Sequence, residues 1–241
     1  MDNQTIRRYW EQESTVQQWN REFAALDLGR RQAWLDVLRR NLGVGRKRQN
    51  ILDVATGTGL LALLSAELRH KVIGVDRSAA MLRQAETNRS AHHKSADFVL
   101  GDAFALEFSA ATFDAVLGRY ALSSMGNPIS ALHEWRRVLK PGGRLILIED
   151  DPADAKTKLP LGRLARWNYG FSPVYGKLYQ ELLAQSGQDK APPLELEGLV
   201  SRAGLNIVFT GKLAGQLQQS AKWMHLTYHF PHLIVVAEKP T

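Results

Sequence analysis

ILDVATGTGLL, residues 51–61, decides the fold. An apolar run ends at Ala55, a Gly-Thr-Gly turn follows, and a leucine-rich helical pattern runs over 59–69. Strand, tight glycine turn and helix, in that order, form the first unit of a doubly wound sheet, with a ligand site at the turn. A turn built for a dinucleotide would place a third glycine at position 62, where this chain has Ala62. The ligand therefore needs a sharp turn and exposed helix amides but makes no demand for that third glycine.

The rhythm continues outward from this stretch. Apolar runs occupy 50–55, 71–75, 97–100, 113–118 and 143–149, and helical patterns fill 59–69, 78–90 and 127–139. Short apolar runs with few polar alternations suit parallel strands covered on both faces. Their alternation with helices predicts right-handed βαβ units. Upstream, residues 4–24 carry a helical stripe of Ile6, Trp10, Val16, Trp19 and Phe23, with a break expected near Ser14. A second helix is predicted over 30–42, ended by Gly43 and Gly45. Downstream, 151–192 is rich in Gly, Pro and aromatics. A helix at 193–203 and strands near 205–210 and 232–238 close the chain, the two strands pairing antiparallel at a sheet edge.

Bulk composition narrows the classes. The chain has 241 residues, 44% of them apolar, enough for one α/β domain with a buried core. With no cysteine there can be no disulfide, zinc-thiolate site, iron–sulfur cluster or cysteine nucleophile. No run of 18 apolar residues occurs. The first 20 residues lack the apolar core of a secretory signal, so a soluble, cytoplasmic protein is expected. The net charge is +7, but the dense basic clusters, Arg39–Arg40 and Arg46–Lys47–Arg48, are short. They read as solvated surface, and no nucleic-acid partner is expected.

The strand ends carry the chemistry. KVIGVDRS places Asp76 at the tip of the strand next to the glycine turn, where a carboxylate can accept both hydroxyls of a ribose. GDAFALEF places Asp102 and Ala103 at the same edge. A carboxylate and a backbone N–H there can read the amino group and ring nitrogen of adenine. Asp53 precedes Gly57 by four residues and Thr56 lies within the turn. A carboxylate there would repel a pyrophosphate and attract an ammonium group. Adenosine joined to an amino acid and a positive sulfur, as in S-adenosylmethionine, fits these groups better than NAD. With no pyrophosphate to seat, the helix after the turn need not lie so closely on the strand, and Ala62 is acceptable.

The same residues carry a resemblance. ILDVATGTG, VIGVDRSAAML, GDAFALEF, FDAVLGRYALSSM and EWRRVLKPGGRLILIE occur in order over about residues 45–150. Together they resemble the class I S-adenosylmethionine-dependent methyltransferases, in the subgroup typified by ubiquinone/menaquinone-biosynthesis enzymes. The resemblance implies a Rossmann-like α/β fold with seven strands in the order 3-2-1-4-5-7-6, strand 7 antiparallel, behind an N-terminal helical cap. It implies that Asp53, Ala55, Gly57 and Gly59 hold the methionine portion. Asp76 and Arg77 would hold ribose, Met81 would pack on adenine, Asp102 and Ala103 would meet its polar edge, and Arg119 and Tyr120 would lie beside the sulfur. YWEQES, 9–14, is similar to caps in which aromatics close over the cofactor, here Tyr9 and Trp10. The expected organisation is a cap over 1–44, a cofactor-binding core over 45–150, and an acceptor-side insertion with the last strands of the same domain over 151–241.

Methyl transfer of this kind is an in-line displacement at carbon, so alignment and exclusion of water come first. The expected reaction delivers a methyl group to a small-molecule acceptor at O, N or C. A base is needed only if the acceptor keeps its proton. Tyr120 and His229 are the catalytic candidates. Glu149, Asp150 and Asp151 read by default as a solvated loop, and Trp167, Tyr169, Phe171, Tyr175 and Tyr179 as an acceptor wall or a satellite core. His225, His229 and His232 lack metal-ligand spacing, so no metal is expected. The expected state is a monomer or homodimer. The alternatives are an RNA or tRNA methyltransferase and a non-catalytic cofactor-binding regulator.

Overall fold

The structure is a computed structural model that describes residues 3–24, 26–42, 48–91, 95–150, 196–213 and 232–241. Its centre is β1 (Asn50–Val54), buried from Ile51 onward. Parallel neighbours flank it, β2 (Lys71–Asp76) on one side and β4 (Phe113–Arg119) on the other. Beyond β2 lies β3 (Ala96–Leu100), and beyond β4 lies β5 (Leu139–Asp150). Two strands complete the sheet, β6 (Asn206–Lys212) and β7 (His232–Glu238). The order is 3-2-1-4-5-7-6, and β7 runs antiparallel to both its neighbours.

Successive strand side chains point to opposite faces, and two cores result. On one face Ile51, Ala115, Leu117, Ile146, Ile148, Ile234 and Val236 pack against α3 (Leu28–Asn41) and α4 (Leu60–Glu67). α4 is apolar all round and buried from Leu60 to Ala66, as a helix roofed by another helix must be. On the other face Leu52, Val54, Val116, Leu145, Leu147, Val235 and Ala237 meet α6 (Pro128–Val138) and α7 (Leu196–Arg202). α5 (Ala79–Ala91) joins β2 to β3. Trp135 fills the second core, and Gly118 makes room for it: a Cβ there would stand 2.9 Å from the indole ring.

α1 (Asn3–Trp10) and α2 (Glu13–Ala24) precede this frame. The break between them falls at Glu11–Gln12 rather than near Ser14. β5 starts at Leu139, earlier than the apolar run, because Leu139 pairs with Phe113 before a register shift carries Arg144 to Ala115. The Lys-Pro-Gly-Gly segment stays bonded to the chain end, Gly142 N–H donating to Lys239 O at 2.8 Å. No helix among the described residues is long and apolar enough to cross a membrane.

Candidate active site

The carboxyl ends of β1, β2 and β4 open into a cleft of about 390 Å³, large enough for a small ligand. Its floor is the turn after β1. Thr56 N–H donates to Val75 O at 3.0 Å and Gly59 N–H to Thr56 O at 3.0 Å, which ties the turn to β2. The two glycines serve different ends. Gly57 has φ 56°, and nothing stands within 4 Å of where a Cβ would lie, so this backbone is bare toward the cleft. Gly59 has φ 87°, and a Cβ there would meet Phe98 at 2.8 Å and Ala85 at 3.2 Å. One glycine leaves room for a ligand and the other for packing.

Asp53 is 2% exposed at the end of β1. Its Oδ2 accepts from Thr56 Oγ1 at 2.7 Å and from Ala62 N–H at 3.1 Å. Gly59 has no side chain to cap α4, and the strand's carboxylate takes that part. Burial pushes the Asp53 carboxyl up to about 7; Thr56, Arg119 and Ala62 hold it back. Ala62 is fully buried and its amide is bonded to Asp53. On β2, Asp76 accepts from Gly57 N–H at 2.8 Å and Ser78 N–H at 2.9 Å. Burial raises its pKa, while the Ser78, Gly57 and Arg77 amides and the Arg77 charge oppose the rise. The two acids thus stand on adjoining strand tips, one on each side of the bare turn.

The far rim holds Asp102, exposed, whose Oδ1 accepts from Phe104 N–H at 2.9 Å. Beside it, Ala103 is held by its carbonyl, which accepts from Trp135 Nε1 at 3.0 Å. The opposite rim is aromatic. Tyr9 meets Trp10 at 5.0 Å, Trp10 meets Trp19 at 5.8 Å, and Trp19 meets Tyr120 at 5.6 Å between ring centroids. The Arg119 guanidinium lies 5.0 Å from the Tyr120 ring centroid and 5.8 Å from that of Trp34. Tyr120 has φ 54°, a strained backbone for a non-glycine residue, held by its N–H donating to Ile148 O at 2.9 Å.

The profile of the methyltransferase domain family matches residues 52–147. The demethylmenaquinone methyltransferase of Lactococcus lactis is 33% identical over 178 residues, covering 69% of each chain. The chain belongs to the S-adenosylmethionine-dependent methyltransferase family. The demethylmenaquinone methyltransferase of Renibacterium salmoninarum is 40% identical over 101 residues, 42% of this chain and 41% of that one. The chain spans about half the length of several such relatives, 52% and 46% in two others. Among solved structures, the Haemonchus contortus phosphoethanolamine N-methyltransferase 2 in complex with S-adenosyl-L-methionine aligns with TM-score 0.67 at 18% identity. It covers 98% of this chain and 60% of that one, and shares the fold.

The cleft brings together Asp53, Ala55, Thr56, Gly57, Asp76, Arg77, Met81, Asp102, Ala103, Arg119, Tyr120 and Trp10. Two candidates stand behind the wall: Gly59, whose Cβ space belongs to Phe98, and Tyr9, 8% exposed and edge-on to Trp10. His225, His229 and the aromatics of 167–179 lie outside the described residues, as does the side chain of His232. Among the described residues, no group of three or more His, Asp or Glu could hold a metal ion.

Glu149 does not sit in a solvated loop. It is 2% exposed and accepts from Leu122 N–H at 2.8 Å, fixing the turn after Tyr120. It pairs with Leu233 of β7 inside the sheet, which an acidic triplet read in sequence could not reveal. Sequence reasoning also missed Ser124, Met125, Gly126 and Asn127 at the cleft, which follow β4 without a charged side chain to mark them.

Proposed function

We propose that this protein transfers a methyl group from S-adenosylmethionine to a small-molecule acceptor by in-line displacement. The observation that carries this reading is the pair of buried carboxylates, Asp53 and Asp76, flanking the bare backbone of Gly57. Asp76 keeps acceptor capacity beyond the amide bonds it accepts, since a carboxylate has about four lone-pair sites. That suits two ribose hydroxyls. Asp53 suits a neighbouring ammonium, and a pyrophosphate between two such acids would be repelled. Asp102 and Ala103 suit the polar edge of adenine.

Bound here, S-adenosylmethionine would supply a methyl group already made electrophilic by its positive sulfur. The chain's own task is alignment and exclusion of water, which is worth up to about 7–11 kcal/mol of the barrier. The Trp10–Trp19–Tyr120 wall serves both. Tyr120 is the group best placed to take or share an acceptor proton. The relatives' name points to a quinone-type ring as the acceptor class, and an aromatic wall suits a flat, apolar ring.

Calorimetry with S-adenosylhomocysteine tests the cofactor half directly. One site per chain is expected, and no binding would end the proposal. A labelled-methyl screen of quinols and metabolite extracts, read by mass spectrometry, then identifies the acceptor. Tight binding with no labelled product would leave a cofactor-binding protein without transfer.

A further inference from the structure

The N-terminal helices are bonded to the two loops that form the cofactor half of the cleft. Glu11, at the break between α1 and α2, reaches the start of α5. Its Oε1 accepts from Ala79 N–H at 2.9 Å and its Oε2 from Ala80 N–H at 3.2 Å. α5 has no acidic residue in its own first turn, so this distant carboxylate meets the positive end of the helix. The residue before α5, Ser78, is bonded in two directions. Its hydroxyl donates to Trp10 O at 2.8 Å and its amide to Asp76 Oδ1 at 2.9 Å. Farther along α5, Asn88 Nδ2 donates to Asn20 Oδ1 of α2 at 2.8 Å and to Thr58 O, between the two glycines, at 2.9 Å.

Among the described residues, apolar packing of the same helices beyond the Tyr9–Trp10–Trp19–Tyr120 row is slight. Among the described residues, Val16 joins Ala80 and Met81 in a small cluster, with Trp10 and Trp19 against it, whereas Phe23 at the other end of α2 belongs to the main core. The segment is anchored at its C-terminal end and held over the cleft by hydrogen bonds. Such a segment opens at lower free energy than the sheet. The groups that hold it are the ones that arrange Asp76 and the Gly57–Gly59 turn.

Resting on the methyl-transfer reading, we propose that Glu11 and Asn88 are positioning residues that couple closure of α1 and α2 to occupancy of the cofactor site. A ligand that orders Asp76 and the turn also orders Ser78 and Thr58, and so the seats on which Trp10 and α2 rest. By reciprocity, loss of either clamp weakens the ligand.

The test uses the full chain with S-adenosylhomocysteine. In the parent, saturating ligand is expected to slow amide exchange over residues 3–24 by at least about fivefold, with β4 amides as the internal control. Glu11→Ala is expected to bind about tenfold more weakly, through faster dissociation, and to lose that protection. Glu11→Gln keeps one acceptor oxygen and should recover part of both. Asn20→Ala breaks the second clamp from the α2 side and leaves α5 intact, so the test survives if Glu11→Ala loosens that helix. Parent-like affinity and parent-like protection in both Glu11→Ala and Asn20→Ala would overturn the coupling while leaving methyl transfer standing. A parent protein that fails to bind S-adenosylhomocysteine would overturn both.

Discussion

The two rims of the cleft are built differently. On the β1–β2 rim, Asp53, Gly57 and Asp76 come from two consecutive motifs, and backbone amides hold both acids. On the β4–β5 rim, Tyr120 meets Trp19 from far along the chain, and Glu149 of β5 holds the turn after β4. The first rim is local in sequence and polar; the second is assembled from distant aromatics. A fold that binds one shared ligand and many different acceptors can keep the first arrangement while the second varies, because the second rests on loops and added helices.

Variants that separate the rims sharpen this comparison, and the largest effect is expected at Asp53. Its carboxyl is raised from 3.8 to about 7, so its contribution to stability is present below pH 4 and is lost as pH rises through 7. Unfolding of the ligand-free parent between about pH 4 and pH 8 should show a loss of up to about 4 kcal/mol from this group. Asp53→Asn should flatten that profile, raising stability at alkaline pH while weakening S-adenosylhomocysteine. An unchanged profile would mean that Asp53 is not the buried charge it is taken to be.

Asp76→Ala should weaken S-adenosylhomocysteine by about 2–4 kcal/mol, the loss of two charge-assisted hydrogen bonds. Calorimetry checks it, and parent-like affinity would remove the ribose assignment. Glu149→Ala probes the other rim. It leaves Leu122 N–H without its partner, at a cost of about 1–3 kcal/mol in urea unfolding. The acceptor KM should rise with cofactor affinity nearly constant. If cofactor affinity falls as far as acceptor affinity, the rims are not separable. The smallest effect is at Ala55, which mirrors Tyr120 across the cleft with φ 55° against 54°. Ala55→Gly should relieve strain and stabilise by at most about 1 kcal/mol, the added chain entropy of glycine offsetting part of the gain. A clear loss of stability in urea would show that the Ala55 methyl matters more than its backbone angle.

Much of the core was legible in the sequence because its signals are local. An unbroken apolar run, a glycine turn and a leucine helix can be read within a few residues, and each strand tip follows from where its run ends. The order of strands came from resemblance and agrees with the observed sheet. At position 62 the sequence permits an alanine, and only the structure shows that its amide is the one that Asp53 holds. Glu149 reads like its acidic neighbours because neither its pairing with β7 nor its burial leaves a trace in its own segment.

By itself, the sequence determined the α/β alternation, the place of the glycine turn and the carboxylates at the strand ends, since periodicity and turn chemistry act over single elements. Only the tertiary structure decided that Glu11 caps a helix more than sixty residues away, that Gly59 yields its space to Phe98, and that Trp19 closes on Tyr120. Those contacts depend on how elements cross in space, and crossing is settled by packing the two faces of one sheet, which no short stretch of chain encodes.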